Sequence, residues 1–155
     1  MQPALHTAFI TACLTGFLGL LLHGCSTESG PEAEVATVIE EMRDALEAGE
    51  TEAFMAHVSP DYRDAEGHDH AAIARQVDAW RERGGDRIGI DMDIERLEVD
   101  RAGRARVQLT AGFSGAEYAG RLRGRLGERY RLDLSLDHEE QEHWRVVHAE
   151  WGPDE

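Results

Sequence analysis

Residues 88–99 read Ile88-Gly89-Ile90-Asp91-Met92-Asp93-Ile94-Glu95-Arg96-Leu97-Glu98-Val99, and this stretch decides the fold. Ile88, Ile90, Met92 and Ile94 alternate with Gly89, Asp91, Asp93 and Glu95, a period of two that predicts a half-buried strand. Leu97 and Val99 then continue in the opposite phase. A one-residue slip of this kind predicts a bulge near Glu95-Arg96, which bends the strand. Asp100-Arg101-Ala102-Gly103 follows as a turn. Ala105, Val107, Leu109, Ala111 and Phe113 alternate with Arg104, Arg106, Gln108 and Thr110 on the return strand.

Downstream, Leu122, Leu126, Tyr130, Leu132, Leu134 and Leu136 share one parity over a span too long for one straight strand, so a hairpin or sharp bend is expected at Gly124 to Gly127. The last strand, Trp144 to Trp151, is apolar on both faces, as a central or interface strand would be. Upstream the period is 3.6. Val35, Val38, Ile39, Met42 and Leu46 form one helical stripe, with Pro31, Glu32 and Glu34 at its start and Gly49 as its C-cap. Thr51 is expected to cap a short second helix carrying Phe54, Met55 and Val58, ended by Ser59-Pro60. Asp69 caps a third helix with Ile73, Val77 and Trp80 on one face, stopping at Gly84-Gly85. The fold class is therefore α+β, three N-terminal helices followed by a strongly bent antiparallel meander.

The chain has 155 residues and a formal charge of −15. All 16 basic residues are arginine, and lysine and asparagine are absent. Lysine Schiff-base chemistry, a phosphate loop ending in Gly-Lys-Ser/Thr, and an asparagine-oriented Cys-His pair are thereby excluded. A pI near 4.8 argues against nucleic acid as a partner.

The first 25 residues contain no Asp, Glu, Lys or Arg and carry an apolar run from Ala8 to Leu22, shorter than the ~20 residues of a membrane span. The run ends at Leu22-His23-Gly24-Cys25, followed by the polar stretch Ser26 to Pro31. This resembles a bacterial lipoprotein signal, with two departures: the n-region has no lysine or arginine, and His23 is bulkier than the usual residue. An ordinary secretory signal or a short uncleaved anchor is the competing reading. The resemblance implies lipidation of Cys25, removal of residues 1–24, and a flexible tether over 25–31. It further implies attachment to the bacterial cell envelope by the lipid, at the outer membrane facing the periplasm, since Ser26 and not Asp follows the cysteine. Cys13 then leaves with the signal and Cys25 is consumed, so the exported domain has no disulfide and no thiol nucleophile.

Three helices before a bent antiparallel meander ending in Trp144-Arg145-Val146-Val147, together with Ala45-Leu46-Glu47-Ala48-Gly49-Glu50 and Asp61-Tyr62-Arg63-Asp64, make residues 32–151 similar to the nuclear transport factor 2-like superfamily. Residues 152–155 form a tail. The resemblance implies N-terminal helices packed in a strongly curved antiparallel sheet, a cone in which that sheet wraps the first long helix and leaves a pocket at its open end. Family enzymes use a pocket carboxylate or histidine as base with a nearby donor. Tyr62, Trp80, Tyr130 and His148 are the candidate pocket-lining residues, although buried Tyr and Trp are usually core residues with a satisfied polar tip. No pair matches a catalytic motif residue by residue, and no catalytic residue or cofactor is assigned. Gly112-Phe113-Ser114-Gly115-Ala116 misses the serine-nucleophile pattern by one place. His68-Asp69-His70 and His138 to His143 hold zinc-type ligands, but in expected loops of a very acidic chain, and no metal site is assigned. Arg121, Arg123, Arg125, Arg129 and Arg131 share the parity opposite the leucines, where cross-strand pairing with Asp91, Asp93, Glu98 or Asp133 is expected.

The expectation is an envelope lipoprotein whose domain binds a small hydrophobic ligand or an envelope protein partner. An isomerase, dehydratase or cyclase using the same pocket is the second class, and an assembly subunit of a membrane complex the third.

Overall fold

In the computed structural model, residues 30–82, 89–114, 129–139 and 143–154 are described. They form helices α1 (Pro31–Ala48), α2 (Thr51–Ala56) and α3 (His70–Glu82) and strands β1 (Gly89–Val99), β2 (Arg104–Ser114), β3 (Arg129–Glu139) and β4 (His143–Pro153). The strands make one antiparallel sheet in the order β1-β2-β3-β4. The expected bend between Gly124 and Gly127, the helix stop at Gly84-Gly85, and Cys25 with its signal lie outside the described residues.

α1 follows its apolar stripe. Val35, Ile39, Met42 and Ala45 are buried against the sheet. Its end is closed by Gly49 at φ 71°, with Glu50 N–H on the Ala45 carbonyl and Gly49 N–H on that of Leu46. This pair of bonds satisfies two carbonyls the helix would leave open, and the left-handed φ is one that glycine adopts without strain. The reading of Thr51 as a cap is corrected: Glu50 stands at the N-cap of α2 without a side-chain bond, and the Thr51 hydroxyl donates to Asp78 Oδ1 of α3 at 2.8 Å. Asp69 caps α3 as expected, its Oδ1 accepting from Ala72 N–H at 2.8 Å.

The bulge read from the phase slip is present, since the register shifts between Ile94 and Arg96. It keeps Leu97 and Val99 on the inner face with Ile90, Met92 and Ile94. The turn before β2 is closed by Asp100, whose Oδ1 accepts from Ala102 and Arg104 N–H.

β4 is an edge strand of the sheet, which corrects the central of the two placements, central or interface, that its apolar faces suggested. Its apolar outer edge is explained by residues 57–65, which run along it. Val146 N–H bonds the His57 carbonyl, and the carbonyls of Val146, Val147 and Ala149 accept from Ser59, Arg63 and Ala65. A second register shift falls between Ser135 and Leu136, where Val147 is the extra residue on β4. The inner face accordingly carries Trp144 and Val146 before the shift and Ala149 after it.

The core lies between α1 and the sheet. Leu136 and Val35 are completely buried, and Val107, Leu109 and Ala105 nearly so. Outside, Arg129 bonds Asp91, Asp93 and the Thr110 hydroxyl, as the parity of the arginines suggests. Asp133 instead accepts from Gln108, and Glu98 pairs with Arg96 of its own strand. Such exposed pairs contribute little to stability, so the core carries the fold. Replacing Leu136 by Ala removes a side chain from the most enclosed site. It should cost ~2 to 5 kcal/mol of unfolding free energy in urea melts.

Candidate functional site

The segment that closes the edge of β4 also builds a turn. Asp64, with its side chain fully enclosed, accepts three hydrogen bonds: from Glu66 N–H at 2.9 Å, His68 N–H at 2.7 Å and, through Oδ2, the His68 ring nitrogen Nδ1 at 2.8 Å. Gly67, at φ 86°, supplies the left-handed residue that lets the chain return to Asp64. Burial works to raise the Asp64 carboxyl pKa. The bonds from the His68 amide and ring, the ring's charge and the Glu66 amide outweigh it, leaving the group below the ordinary carboxylate value. With Nδ1 donating to a buried carboxylate, Nε2 is the ring nitrogen left for a ligand.

His68 lines a cleft of about 610 Å³ between α3, the last turn of α1 and the β1–β2 pair. Leu46 in the last turn of α1, Ile73, Val77 and Trp80 of α3, Ile90 of β1 and Phe113 of β2 make its apolar wall, with Arg75 and Gln76 at the polar side. The backbone is braced where the walls meet, since Glu47 at the end of α1 accepts the Ile90 N–H. Size and lining match a small-molecule site, apolar with a few polar groups. Chemically, a histidine oriented by a buried acid can accept a proton or hold one polar atom of a ligand.

The four residues expected to line a pocket are not all brought together. Trp80 lines this cleft. Tyr130 stands behind it, its ring tilted at 60° and 6.2 Å from that of Phe113. Tyr62 is buried in the core, where burial, and then the Asp64 charge, push its phenol well above the ordinary value. His148 lies on the outer face. The extra residue at Val147 shifts the phase of β4, so His148 opposes Ser135 and bonds the Arg63 carbonyl through Nδ1 at 2.6 Å. The residue that sequence reasoning passed over is His68, seen only within a possible zinc group. The available signal was the local run Asp64-Ala65-Glu66-Gly67-His68, an acid followed three residues later by glycine, which marks a turn closed on the acid. Of the second histidine group, His138 stacks on Trp144 at 4.7 Å.

No family model and no curated protein matches the sequence. Solved structures match the fold. A domain of unknown function with a cystatin-like fold from Nostoc punctiforme superposes with a TM-score of 0.64 at 13% identity, over 81% of this chain and 78% of that one. A ketosteroid isomerase-like protein from Erwinia carotovora atroseptica gives 0.60 at 11%, over 83% and 98%. A nuclear transport factor 2-like protein of unknown function from Shewanella baltica gives 0.55 at 10%, over 79% and 92%. The chain has the cystatin-like, nuclear transport factor 2-like fold that its sequence pattern implies.

The Asp64 turn gives a pH prediction with a definite sign. A carboxyl whose folded pKa is depressed stabilises the protein fully above its unfolded value, about 3.9, and loses that contribution as pH falls through the folded value. Asp64→Asn should therefore be less stable than wild type near pH 7, by ~1 to 3 kcal/mol. The gap should narrow below about pH 4. Urea unfolding at pH 7, 4 and 3 measures it, and a constant gap would contradict the assignment.

Proposed function

We propose that this protein is a small-molecule binding domain whose ligand places an apolar body against Trp80, Ile73, Ile90 and Phe113 and one polar group at His68. The observation that carries the reading is the union, in one cleft, of an apolar wall and a single histidine held by the buried Asp64. A second reading is favoured by the same pair. A histidine with one nitrogen fixed and the other available is equipped to move a proton, as isomerases, dehydratases and cyclases require.

The proposal extends to location. The segment Leu22-His23-Gly24-Cys25 supports a lipid anchor at Cys25, with residues 26–30 as the link to the domain. α1 begins beside β4, where Trp144 Nε1 donates to Glu34 Oε2 at 3.1 Å, and ends at Leu46 on the cleft. A helix of 18 residues is about 27 Å long, so the cleft lies at the far end of α1 from the point where the link enters the domain.

2-Naphthol and naphthalene serve as probes differing by one hydroxyl. Calorimetric titration should show tighter binding of 2-naphthol, and His68→Gln should remove ~0.5 to 1.5 kcal/mol of that affinity, the net value of one hydrogen bond. Equal binding of both probes by the wild type argues against a polar contact at His68. Conversion of a β,γ-unsaturated ketone to its conjugated isomer, slowed ~100-fold or more in the same variant, would move the assignment to the enzyme. For location, wild type expressed in a bacterial host should sediment with membranes and Cys25→Ala should be released. A variant that stays bound contradicts the lipid anchor.

A further inference from the structure

The described part of the chain is acidic nearly everywhere a ligand could settle. Four other clefts each contain two or more carboxylates: Glu98 and Asp100 in one, Glu98 and Asp133 in another, Glu34 and Glu41 beside Trp144, and Glu50 with Asp78 between α2 and α3. Among the described residues that line it, the cleft of His68 has none, although Asp64 and Glu66 reach the His68 ring from outside that lining, at 2.8 and 3.7 Å. Its polar lining is His68, Arg75 and Gln76. In a chain with 31 acidic and 16 basic residues, that local reversal is a chemical feature of the site and not of the surface at large.

Arg75 completes the feature. It is exposed on α3 and makes no ion pair or side-chain hydrogen bond among the described residues. Its field reaches Asp69 at the start of the same helix, yet the Asp69 carboxylate is occupied by the Ala72 amide. Glu47, the acid nearest in sequence to the wall residue Leu46, is committed to the Ile90 amide and does not line the cleft. A guanidinium offers a planar fork of donors that matches a carboxylate bidentately, and such charge-assisted bonds are about twice as strong as neutral ones. The rest of the described lining, His68 and Gln76 apart, is apolar.

Resting on the reading of this cleft as a binding site, we infer that its ligand class is the amphipathic organic carboxylate, with Arg75 as the specificity-determining residue. The apolar body lies against Trp80 and Phe113, and the carboxylate meets the Arg75 guanidinium at the polar side of the cleft. The net charge of −15 acts over long range and is screened at physiological salt, whereas the contact at Arg75 is direct.

The test titrates the full chain at pH 7 and 0.15 M NaCl with 2-naphthoate, 2-naphthol and 2-naphthylmethylammonium, which share the ring and differ in the charge of one group. The expected result is about tenfold or more tighter binding of 2-naphthoate than of 2-naphthol, with the ammonium weakest. In Arg75→Gln the ratio of 2-naphthoate to 2-naphthol should fall to about one, while Arg101→Gln, in the turn before β2, keeps the wild-type ratio. Equal binding of all three probes by the wild type overturns the carboxylate preference and leaves the cleft a binding site. Preference for the ammonium, or a carboxylate preference that survives in Arg75→Gln, overturns the role of Arg75. Failure of every probe to bind overturns both this inference and the reading on which it rests.

Discussion

The backbone pairing of residues 57–65 with the edge of β4 is the contact on which the rest of the molecule depends. An open strand edge presents a row of unpaired N–H and C=O groups that templates association with other chains. Here four bonds, from His57 to Ala65, occupy that row over Val146 to Ala149. The same pairing carries Ser59, Tyr62 and Asp64 into the interior, each less than a tenth exposed. Removing the donors of a buried carboxylate costs ~3 to 5 kcal/mol, so Asp64 can be buried only because the chain turns back and presents the amides of Glu66 and His68. His68 is thus delivered to the cleft by a structural requirement. The turn that satisfies Asp64 is the turn that aims the ring.

Buried polar groups at the other end of the edge follow the same logic. Ser59, fully enclosed, shares its hydroxyl with the Glu139 carboxylate, whose second oxygen bonds Arg145 at 2.9 Å. Both ends of the covering segment are therefore fixed through acids, one by Asp64 of the segment itself with the turn that follows it and the other by Glu139 from β3. The helix α3 that carries Trp80 and Arg75 starts immediately after this segment, at His70. Its placement is inherited from the edge and secured through the Thr51 to Asp78 bond with α2. Cleft geometry, in this fold, is a consequence of how one sheet edge is closed.

Local periodicity made most of the frame readable. The stripe Val35, Ile39, Met42, the left-handed Gly49, the cap Asp69 and the slip at Glu95 each express a rule that acts within a few residues, and each is found where the pattern puts it. What was not readable depends on distant partners. The two apolar faces of β4 are the same in sequence whether a strand or an irregular segment covers its edge, so the edge position was hidden. Val147 has no local sign of being an extra residue, since Trp144 to Ala149 is too mixed to show a phase change. That hidden step is why His148 was expected inside. Asp64 and His68 are four residues apart, and their turn was visible in principle. Its burial was not, because burial is imposed by β4.

Charge segregation then separates this cleft from the surface that surrounds it. On the outer face Arg129 holds Asp91 and Asp93 together against their mutual repulsion, and Arg131 is paired with Asp154. Arginines placed among acids in this way contribute little stability, but they are neutralised as sites for other anions. Arg75, without such a partner among the described residues and in a cleft whose described lining holds no acid, keeps its capacity to select a ligand. The large negative charge of the chain does not oppose this selection as strongly as its size suggests. Screening by salt confines each charge to about 10 Å at 0.1 M, and of the acids beside the cleft Asp64, Asp69 and Glu47 already accept hydrogen bonds from the chain itself, while Glu66 faces the His68 ring at 3.7 Å. What an approaching molecule meets at the mouth is therefore set by Arg75, His68 and the aromatic wall, and not by the average of the protein.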